Sequence, residues 1–511
     1  MKKILLSATI LGSLAISGCA VRPAPLTGDD LSAFANGAIA RVTADQEPVS
    51  RAITLKEAIA RALKYNLDYK VEKLQHSLKI RDLDVFNSNL MPAVLADAGY
   101  SGRNSVNASN SQSALTGQTF LQSAYSQDRN DVAGDLDLNW NILDFGLSYI
   151  QAQQAADQTL IAREDQRKVV NRIVSDVRSA YWRALSAQHL VSRLRGIEGQ
   201  VTRAISDSRK IYDIHETSPT AALTNERELL EIKHQAEQIE GDLIASKAQL
   251  AALMNLPPDT KYRVAEGILP SRPEVLRFPQ SQLVRIALEN RPELREVEYK
   301  ERINEKEATA ALIKMLPGVQ LFAGPNFDTN SFLLHGSWLG WGAKASWNAV
   351  NLFRYPTIKA QVAAQQDLLD QRALAVTMAV MTQVYVSRLR YDHYVKEFKT
   401  TTQFLGVQRL IVQQIAAEAA SSRISDQTLI REKMNLLVAE AKRDIALSNL
   451  QAAIGNIYQS VGLNPIPEDI DTSKPLHDLM QDMDHKSLFK IAPSAAAAPT
   501  LAPETSTAKP A

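Results

Sequence analysis

The sequence predicts a mainly α-helical protein with a membrane β-barrel, built as a tandem repeat of helix, β-hairpin and long coiled-coil helix pair. Three observations lead to this prediction. Two stretches that begin near residues 53 and 281 open with similar helical patterns, and each later switches to strict alternation of apolar and polar residues. Each stretch then continues as a long run without proline, over 147–215 and 357–419. Internal repetition of this kind is a direct guide to architecture.

The N-terminus is typical of an export signal. Two lysines precede an apolar segment over 4–16, which is too short to span a membrane. The segment ends in Ile16-Ser17-Gly18-Cys19, which resembles the lipobox of bacterial lipoproteins, and Cys19 is the only cysteine of the chain. The resemblance implies cleavage after residue 18, lipidation of Cys19 and sorting to the outer membrane, because Ala20 follows. The alternative is an ordinary signal peptide that contains a cysteine.

Both repeated stretches open with a helical pattern. The first begins Ile53-Thr54-Leu55-Lys56-Glu57-Ala58-Ile59, and the second begins Ser281-Gln282-Leu283-Val284-Arg285-Ile286-Ala287. Each pattern ends at a matched proline, Pro92 or Pro317. Proline lacks the amide donor and disfavours helix in the residue before it, so we expect each helical stretch to end there.

After each proline the sequence predicts a β-hairpin, with strands at about 92–103 and 132–144 in the first copy and about 317–327 and 337–350 in the second. The evidence is an alternation of polar and apolar residues with a period of two. The polar positions are Asp135, Asp137, Asn139, Asn141, Lys344, Ser346 and Asn348. The tryptophans on the apolar side are Trp140, Trp341 and Trp347.

Strands of this length with one apolar and one polar face are typical of membrane β-barrels. We therefore predict that the polar positions line a barrel lumen and that the three tryptophans anchor the strands at the membrane interface. Two hairpins cannot close a barrel alone, whereas a trimer would supply twelve strands, because each chain would contribute four. The alternatives are half-buried strands of a soluble sandwich, and a register shifted by one residue, which would exchange the two faces.

The proline-free runs predict two helices on the order of 100 Å long, given a rise of about 1.5 Å per residue. Apolar residues within 170–184 recur with the spacing of a coiled-coil seam. Each long helix is followed by a break, at 216–220 and at 420–426, and then by a second helical stretch. Helices of this length and only moderate apolarity must pack side by side.

Composition and motifs point away from enzymatic chemistry. The 511 residues carry a net charge of +1, so no global basic field predicts nucleic-acid binding. The eight histidines are scattered without a metal-binding spacing, and a P-loop, a Gly-x-Gly-x-x-Gly and a Gly-x-Ser-x-Gly pattern are all missing. We therefore predict no catalytic residues, no cofactor and no metal, and an energy source in a partner.

The signal, the lipobox, the tandem copies and the matched prolines together resemble the TolC-like outer-membrane efflux protein family, over about residues 50–465. Lipidated members, as in tripartite RND-type efflux or type I secretion systems, look most similar. The resemblance implies a homotrimer with a twelve-stranded barrel and an α-helical periplasmic tunnel. It also implies outer-membrane lipid, a periplasmic adaptor (membrane fusion) protein and an inner-membrane pump of RND or ABC type as partners.

In this family the breaks between paired helices form the periplasmic entrance. The resemblance therefore makes the two breaks a candidate gate or adaptor contact. The candidate residues are Arg423, Ser425, Asp426, Ser218 and Pro219. Charged residues repeated around a trimer axis would form rings that select ions or close a pore. In the alternative interpretation, Ser425 or Asp426 only caps the following helix.

The function implied is a passive, lipid-anchored outer-membrane duct that exports substrate from the periplasm or a pump. The alternative is a structural coiled-coil envelope lipoprotein without channel activity, against which the alternating strands argue. The predicted segments are a signal peptide at 1–18, a lipidated linker at 19–50, a first efflux repeat at 51–258, a linker at 259–280, a second repeat at 281–465, and a charged and then Ala/Pro-rich disordered tail at 466–511.

Overall fold

The protein is mainly helical. The computed structural model describes residues 23–42, 44, 46–119, 122–213, 218–257, 260–265, 278–421, 426–463, 466 and 470–483. The helices in this part of the chain are α1 Gly28–Val42, α2 Leu55–Tyr65, α3 Leu67–Ser88, α4 Ile142–Asp213, α5 Pro219–Leu253, α6 Gln280–Asn290, α7 Pro292–Ile313, α8 Val350–Ala420, α9 Asp426–Ser460 and α10 Leu476–Asp482. The strands are β1 Ala93–Gly102, β2 Ala108–Ser109, β3 Ala124–Tyr125, β4 Asn130–Asn141, β5 Gly318–Asp328 and β6 Ser337–Ser346.

Each opening helical stretch is divided into two helices. Asn66 has extended backbone angles and its side chain accepts the amide of Tyr69, so it ends α2 and caps α3. Arg291 is extended between α6 and α7, as expected for a residue that precedes a proline. The short helices α2 and α6 each pack against a long helix, α4 and α8 respectively.

Two strands end earlier than the alternation predicts, at Asn141 rather than 144 and at Ser346 rather than 350. The Asn141 side chain accepts the amide of Leu143 at 3.0 Å, and the Asn348 side chain accepts that of Val350 at 3.2 Å. Polar side chains that bind nearby amides in this way favour the start of a helix. The last residues of both predicted strands therefore belong to the turn or helix that follows.

The strands of the sheet and the helices next to it follow the same spatial order. The four long strands pair antiparallel in the order β1-β4-β5-β6, and β1 and β6 form the two edges. The helices that adjoin the sheet pack in the corresponding order α3-α4-α7-α8. Because β4 leads directly into α4, and α7 precedes β5, the pairing of β4 with β5 also brings α4 beside α7.

Three apolar clusters hold the helices together. One joins α2, α4 and the end of α5, and a second joins α6, α8 and α9. The third lies between the distal parts of α4, α5 and α9, with Leu194, Leu243 and Met434 almost fully buried. The long helix α4 thus packs on α3 and α7 near the sheet and on α5 and α9 further away.

The segments predicted as linkers and tail contain folded structure. Residues 19–50 include the exposed helix α1, and Ile53 pairs with Val264 of the predicted 259–280 linker in a parallel bridge. Within the predicted 466–511 tail, Leu476 and Leu479 of α10 and the following residue Met483 pack in the first apolar cluster. Part of the predicted charged tail, residues 470–483, is therefore packed against the first apolar cluster.

Glu47 connects the N-terminal segment to α2 and to α10. Its carboxylate accepts a hydrogen bond from Lys64 of α2 at 2.8 Å and from the backbone amide of Leu476 at 3.1 Å. Burial disfavours its ionisation, but these hydrogen bonds outweigh that effect and lower the pKa of Glu47 below its ordinary value. The N-terminal segment and α10 are thereby both fixed to α2.

None of the helices in the described ranges combines the length and the apolar composition needed to cross a membrane.

We predict that Gly462→Ala destabilises the protein. Gly462 has φ of +70°, and a Cβ there would lie 2.7 Å from the carbonyl carbon of Asn290. The unfavourable backbone conformation alone costs about 1–2 kcal/mol for a non-glycine residue, and the clash adds to it. Thermal unfolding followed by helical circular dichroism should show a lower midpoint.

The matched control is Gly406→Ala within α8, where a Cβ would meet nothing within 4 Å. We expect this variant to retain or raise the midpoint, because alanine in place of glycine in a helix interior adds up to about 1 kcal/mol to the free energy of unfolding. Equal midpoints for the two variants would contradict the close approach of Gly462 to Asn290.

Candidate functional site

The strand register places the predicted lumen residues on one face of the sheet. Asp135 lies opposite Asp97 of β1, and Asn141 lies opposite Gln320 of β5. Gln320 in turn lies opposite Lys344 of β6. Directly opposed residues of antiparallel strands share a face, so these side chains form one polar surface across four strands. Asp137, Asn139 and Ser346 belong to the same surface by their positions in β4 and β6.

The polar surface carries more carboxylates and amides than the sequence alone indicated. Asp97 adds a third carboxylate beside Asp135 and Asp137, and the Gln320 amide donates to the Asn139 side chain at 2.8 Å. Both Asp97 and Gln320 were missed, because alternation in β1 and β5 is interrupted by small or apolar residues. Such a surface can hydrate an aqueous pathway and favour cations near its carboxylates.

The opposite face of the sheet is apolar and exposed. Leu138, Ala323 and Trp341 lie across β4, β5 and β6 on this face. Leu138 is 46% exposed and Trp341 is 80% exposed, whereas the alternating polar positions of β4 are half-buried. In a water-soluble sheet with one solvated face the apolar residues are the covered ones. The exposed apolar face is therefore suited to a non-aqueous surrounding.

The three predicted anchor tryptophans occupy different settings. Trp140 lies in β4 and makes an edge-to-face contact with Phe145, with ring centroids 5.7 Å apart. Trp341 lies within β6, on the apolar face. Trp347 follows the end of β6, and its indole donates to the carbonyl of Met315 at 2.9 Å. Asn348, predicted as a lumen residue, also lies beyond the strand, where it binds the first turn of α8.

A further tryptophan, Trp338, lies on the polar face of the sheet. It is opposite Asn326, which is itself opposite Asp135. The sequence analysis did not single it out, because it lies at the start of β6, before the alternation becomes regular. Trp338 and Trp341 therefore sit three residues apart on one strand and face opposite sides of the sheet.

The tips of the helix pairs are partly described. Cys19, Arg423 and Ser425 lie outside the described residues, and Asp426 is the first residue of α9. Ser218 precedes α5 without a side-chain capping bond, and Pro219 opens that helix, a position that proline favours. These two residues therefore have the backbone geometry of a helix start.

Near the tips, side chains connect the two helix pairs. The Asn225 amide donates to the Gln427 side chain at 3.3 Å, and Glu228 of α5 pairs with Arg431 of α9 at 2.8 Å. Sequence reasoning missed these contacts because residues about two hundred positions apart show no signal in a single sequence. They join the first and second halves of the chain close to the breaks.

Within the described ranges no group of three or more His, Cys, Asp or Glu side chains is arranged to hold a metal ion.

The chain has the fold of solved outer-membrane channels. It is similar to the outer-membrane channel OprN, with 16% identity, a TM-score of 0.61, and coverage of 83% of this chain and 95% of that one. It is also similar to the Campylobacter jejuni CmeC channel, with 13% identity, a TM-score of 0.57, and coverage of 91% of this chain and 98% of that one. The open Neisseria gonorrhoeae MtrE channel is similar as well, with 14% identity, a TM-score of 0.60, and coverage of 82% of this chain and 94% of that one.

No protein-family model matches the chain, and no curated protein matches it. At such low identities the structural similarity establishes the fold. The TolC-like fold implied by the sequence resemblance is confirmed.

Proposed function

We propose that this protein, with its TolC-like fold, is the outer-membrane channel component of a tripartite efflux or secretion system. In this proposal it is a passive, trimeric, lipid-anchored duct that carries substrate from the periplasm or an inner-membrane pump to the exterior. The observation that carries the proposal is the four-stranded sheet, which has an exposed apolar face, a polar face and two open edges. The helices that adjoin the sheet pack side by side in the same order as its strands.

Open edges favour assembly with further copies. A sheet edge with unpaired backbone groups is not tolerated in lipid, so β1 of one copy would pair with β6 of the next. The edge helices support the same arrangement, because both expose apolar side chains. On α3 these are Leu67, Val71, Leu74 and Leu78, and on α8 they include Leu374, Met378 and Leu389. Exposed apolar patches on a protein surface mark interaction sites.

In a closed trimer the polar face would line the lumen, with Asp135, Asp137, Asn139, Lys344 and Ser346 among the lining residues. The apolar face would contact lipid, with Trp140 and Trp341 near the interfaces. Asn348 and Trp347 would then lie at the junction between strands and helices rather than within the membrane.

The partners in this proposal are a periplasmic adaptor protein and an inner-membrane pump of RND or ABC type. In this proposal the pump supplies the energy for transport. Acylation of Cys19 would attach the N-terminal segment to outer-membrane lipid. Arg423, Ser425, Asp426, Ser218 and Pro219, at the two breaks, are proposed as the gate or the adaptor contact.

The alternative is a structural coiled-coil envelope lipoprotein that conducts nothing. The polar sheet face and the open edges favour the duct over this alternative, because a tether does not require a sheet with one polar face and one apolar face.

We predict that the purified full-length protein is a trimer that produces stepwise conductance in a planar lipid bilayer. Native mass spectrometry measures the number of chains, and single-channel recording measures the current steps. A monomer, or a bilayer that stays silent for the wild type and for the gate variant described below, would favour the tether.

Tryptophan quenching tests the assignment of the two sheet faces. In vesicles that contain brominated lipid, we expect Trp341 to be quenched because it lies on the apolar face, and Trp338 to be protected. The Trp341→Phe variant should therefore lose most of the quenchable emission of β6, whereas Trp338→Phe should retain it. The opposite result would mean that the polar face meets lipid and that the register of β6 is shifted.

The link between Glu228 and Arg431 provides a test of the gate. The Arg431→Glu variant places two carboxylates where an ion pair now holds α5 to α9. An exposed ion pair contributes up to about 1 kcal/mol, so we expect roughly a fivefold higher open probability. The double variant Glu228→Arg/Arg431→Glu should restore the wild-type value.

Lys210→Glu is the matched control, because Lys210 pairs with Asp207 on the same helix and leaves the link between helix pairs intact. An equal change in open probability for Lys210→Glu and Arg431→Glu would show a general charge effect and contradict the link as a gate element.

A further inference from the structure

The two halves of the chain repeat each other at two constant spacings. The elements α2, α3 and β1 begin 225 positions before α6, α7 and β5. The elements β4 and α5 begin 207 positions before β6 and α9, and α4 ends 207 positions before α8. The capping bonds follow the second spacing, because Asn141 binds the amide of Leu143 and Asn348 binds that of Val350. A residue in one half therefore has a defined counterpart in the other half.

Within one chain the halves meet at an internal interface, in which β4 and α4 contact β5, α7 and α9. This interface is held by polar and charged side chains. Near the sheet, Lys168 of α4 forms an ion pair with Glu296 of α7. Further from the sheet, Arg178 of α4 donates to the side chain of Gln451 of α9 at 2.6 Å.

The counterparts of these four residues lie on the open edges of the chain and carry no charge. The counterparts of the ion pair are Ala375 of α8 and Val71 of α3, and those of the hydrogen bond are Tyr385 of α8 and Ile244 of α5. All four are exposed, and the three large ones are 45–50% exposed. Small or apolar residues therefore replace the polar contacts of the internal interface.

One contact changes in the opposite sense. Arg183 of α4 donates to the side chain of Asn449 of α9 at 3.4 Å. The counterparts of these two residues are Arg390 of α8 and Asp242 of α5, which carry opposite charges and are both exposed. A neutral partner of arginine inside the chain is thus replaced by a carboxylate at the edge.

The strands lead to the same pairing. Leu138 of β4 lies opposite Ala323 of β5, and their counterparts are Ala345 of β6 and Ala98 of β1. Both counterparts lie on the apolar face of the sheet, since their neighbours in each strand belong to the polar face. Pairing them between copies continues each face without interruption, whereas a shift by one residue would exchange the faces.

We propose that the interface between copies repeats the internal interface, so that β1, α3 and α5 of one copy pack on β6 and α8 of the next in the register that the two spacings define. Val71 of one copy then lies beside Ala375 of the next, and Ile244 lies beside Tyr385. The inference rests on the proposed trimer and names the residues that hold it together. The occupant of each edge is a second copy, because the same register continues both sheet faces and brings opposite charges together.

The difference in chemistry between the two interfaces has a physical reason. Ion pairs lose much of their Coulombic gain to desolvation, so they specify an alignment more than they add free energy. They suit an interface that forms once, as the chain folds. Separate copies gain free energy of association from burial of apolar surface, and Val71, Ile244 and Tyr385 supply such surface.

Disulfide formation tests the register on the full-length protein in lipid nanodiscs. The variant Ala98→Cys/Ala345→Cys should form covalent trimers on oxidation, because the Cα atoms of directly opposed residues lie about 4.5–5.5 Å apart, within disulfide range. The matched control Val94→Cys/Ala345→Cys, shifted by four residues on the same face, should form none. Two strands separate β1 from β6 within a chain, so each disulfide joins two copies. The wild type, with only Cys19, gives the background.

A transplanted ion pair tests the helical part of the register. The variant Val71→Glu should reduce the ratio of trimer to monomer in native mass spectrometry about tenfold or more, because a carboxylate is buried without a partner. Val71→Glu/Ala375→Lys recreates the ion pair of the internal interface and should restore most of the ratio. Val71→Glu/Ala364→Lys, with the lysine 11 positions or roughly 16 Å away along α8, should not restore it.

Equal disulfide yields from the two cysteine pairs, or equal restoration by the two lysine positions, would overturn the register. An unchanged trimer in Val71→Glu would overturn the apolar interface. A trimeric wild type with either of these results refutes this inference alone, whereas a monomeric wild type refutes the proposed trimer with it. Conductance is not part of the readout, so a silent bilayer leaves the inference intact.

Discussion

The antiparallel pairing of β4 with β5 determines the arrangement of the rest of the chain. It joins the two halves within one sheet, and because α4 follows β4 and α7 precedes β5, it also brings these helices together. Ion pairs continue the contact along the helices, where Asp157 of α4, which is almost completely buried, binds Arg302 and Lys306 of α7. A buried carboxylate is stable only with such partners, so the pairing and the ion pairs specify one alignment of the two halves.

The same constraint explains the shape of the exposed surfaces. Once β4 and β5 occupy the centre of the sheet, β1 and β6 must lie at its edges, and α3 and α8 must lie at the edges of the helical layer. The apolar side chains that remain exposed concentrate on these edge helices and on one sheet face. A single chain leaves this apolar area uncovered, and this is the physical basis for proposing assembly with further copies in a membrane.

Sequence patterns predicted the features that depend on local periodicity. The alternation of Asp135 and Asp137 with apolar residues assigned the faces of β4, and proline-free runs indicated the long helices. Features that depend on tertiary contacts were not predictable in this way. The strand ends depend on Asn141 and Asn348 binding nearby amides, the folding of α10 depends on a cluster supplied by α2, α4 and α5, and the link from Glu228 to Arg431 joins distant parts of the chain.

The direct passage from β4 into α4 has a mechanical consequence. Asn141 ends the strand and Ile142 begins a helix of 72 residues, so no loop separates the sheet from a rod on the order of 100 Å long. Around Leu185 the rod is held by the first apolar cluster, and about 28 residues, or roughly 40 Å, extend beyond that point to Asp213. That distal part packs on α5 and α9 in the third apolar cluster, so the three helices together form a lever arm that pivots at the first cluster. A tilt of about 5° there displaces the far end by roughly 3–4 Å, about the width of one side-chain contact, while the strands stay in register.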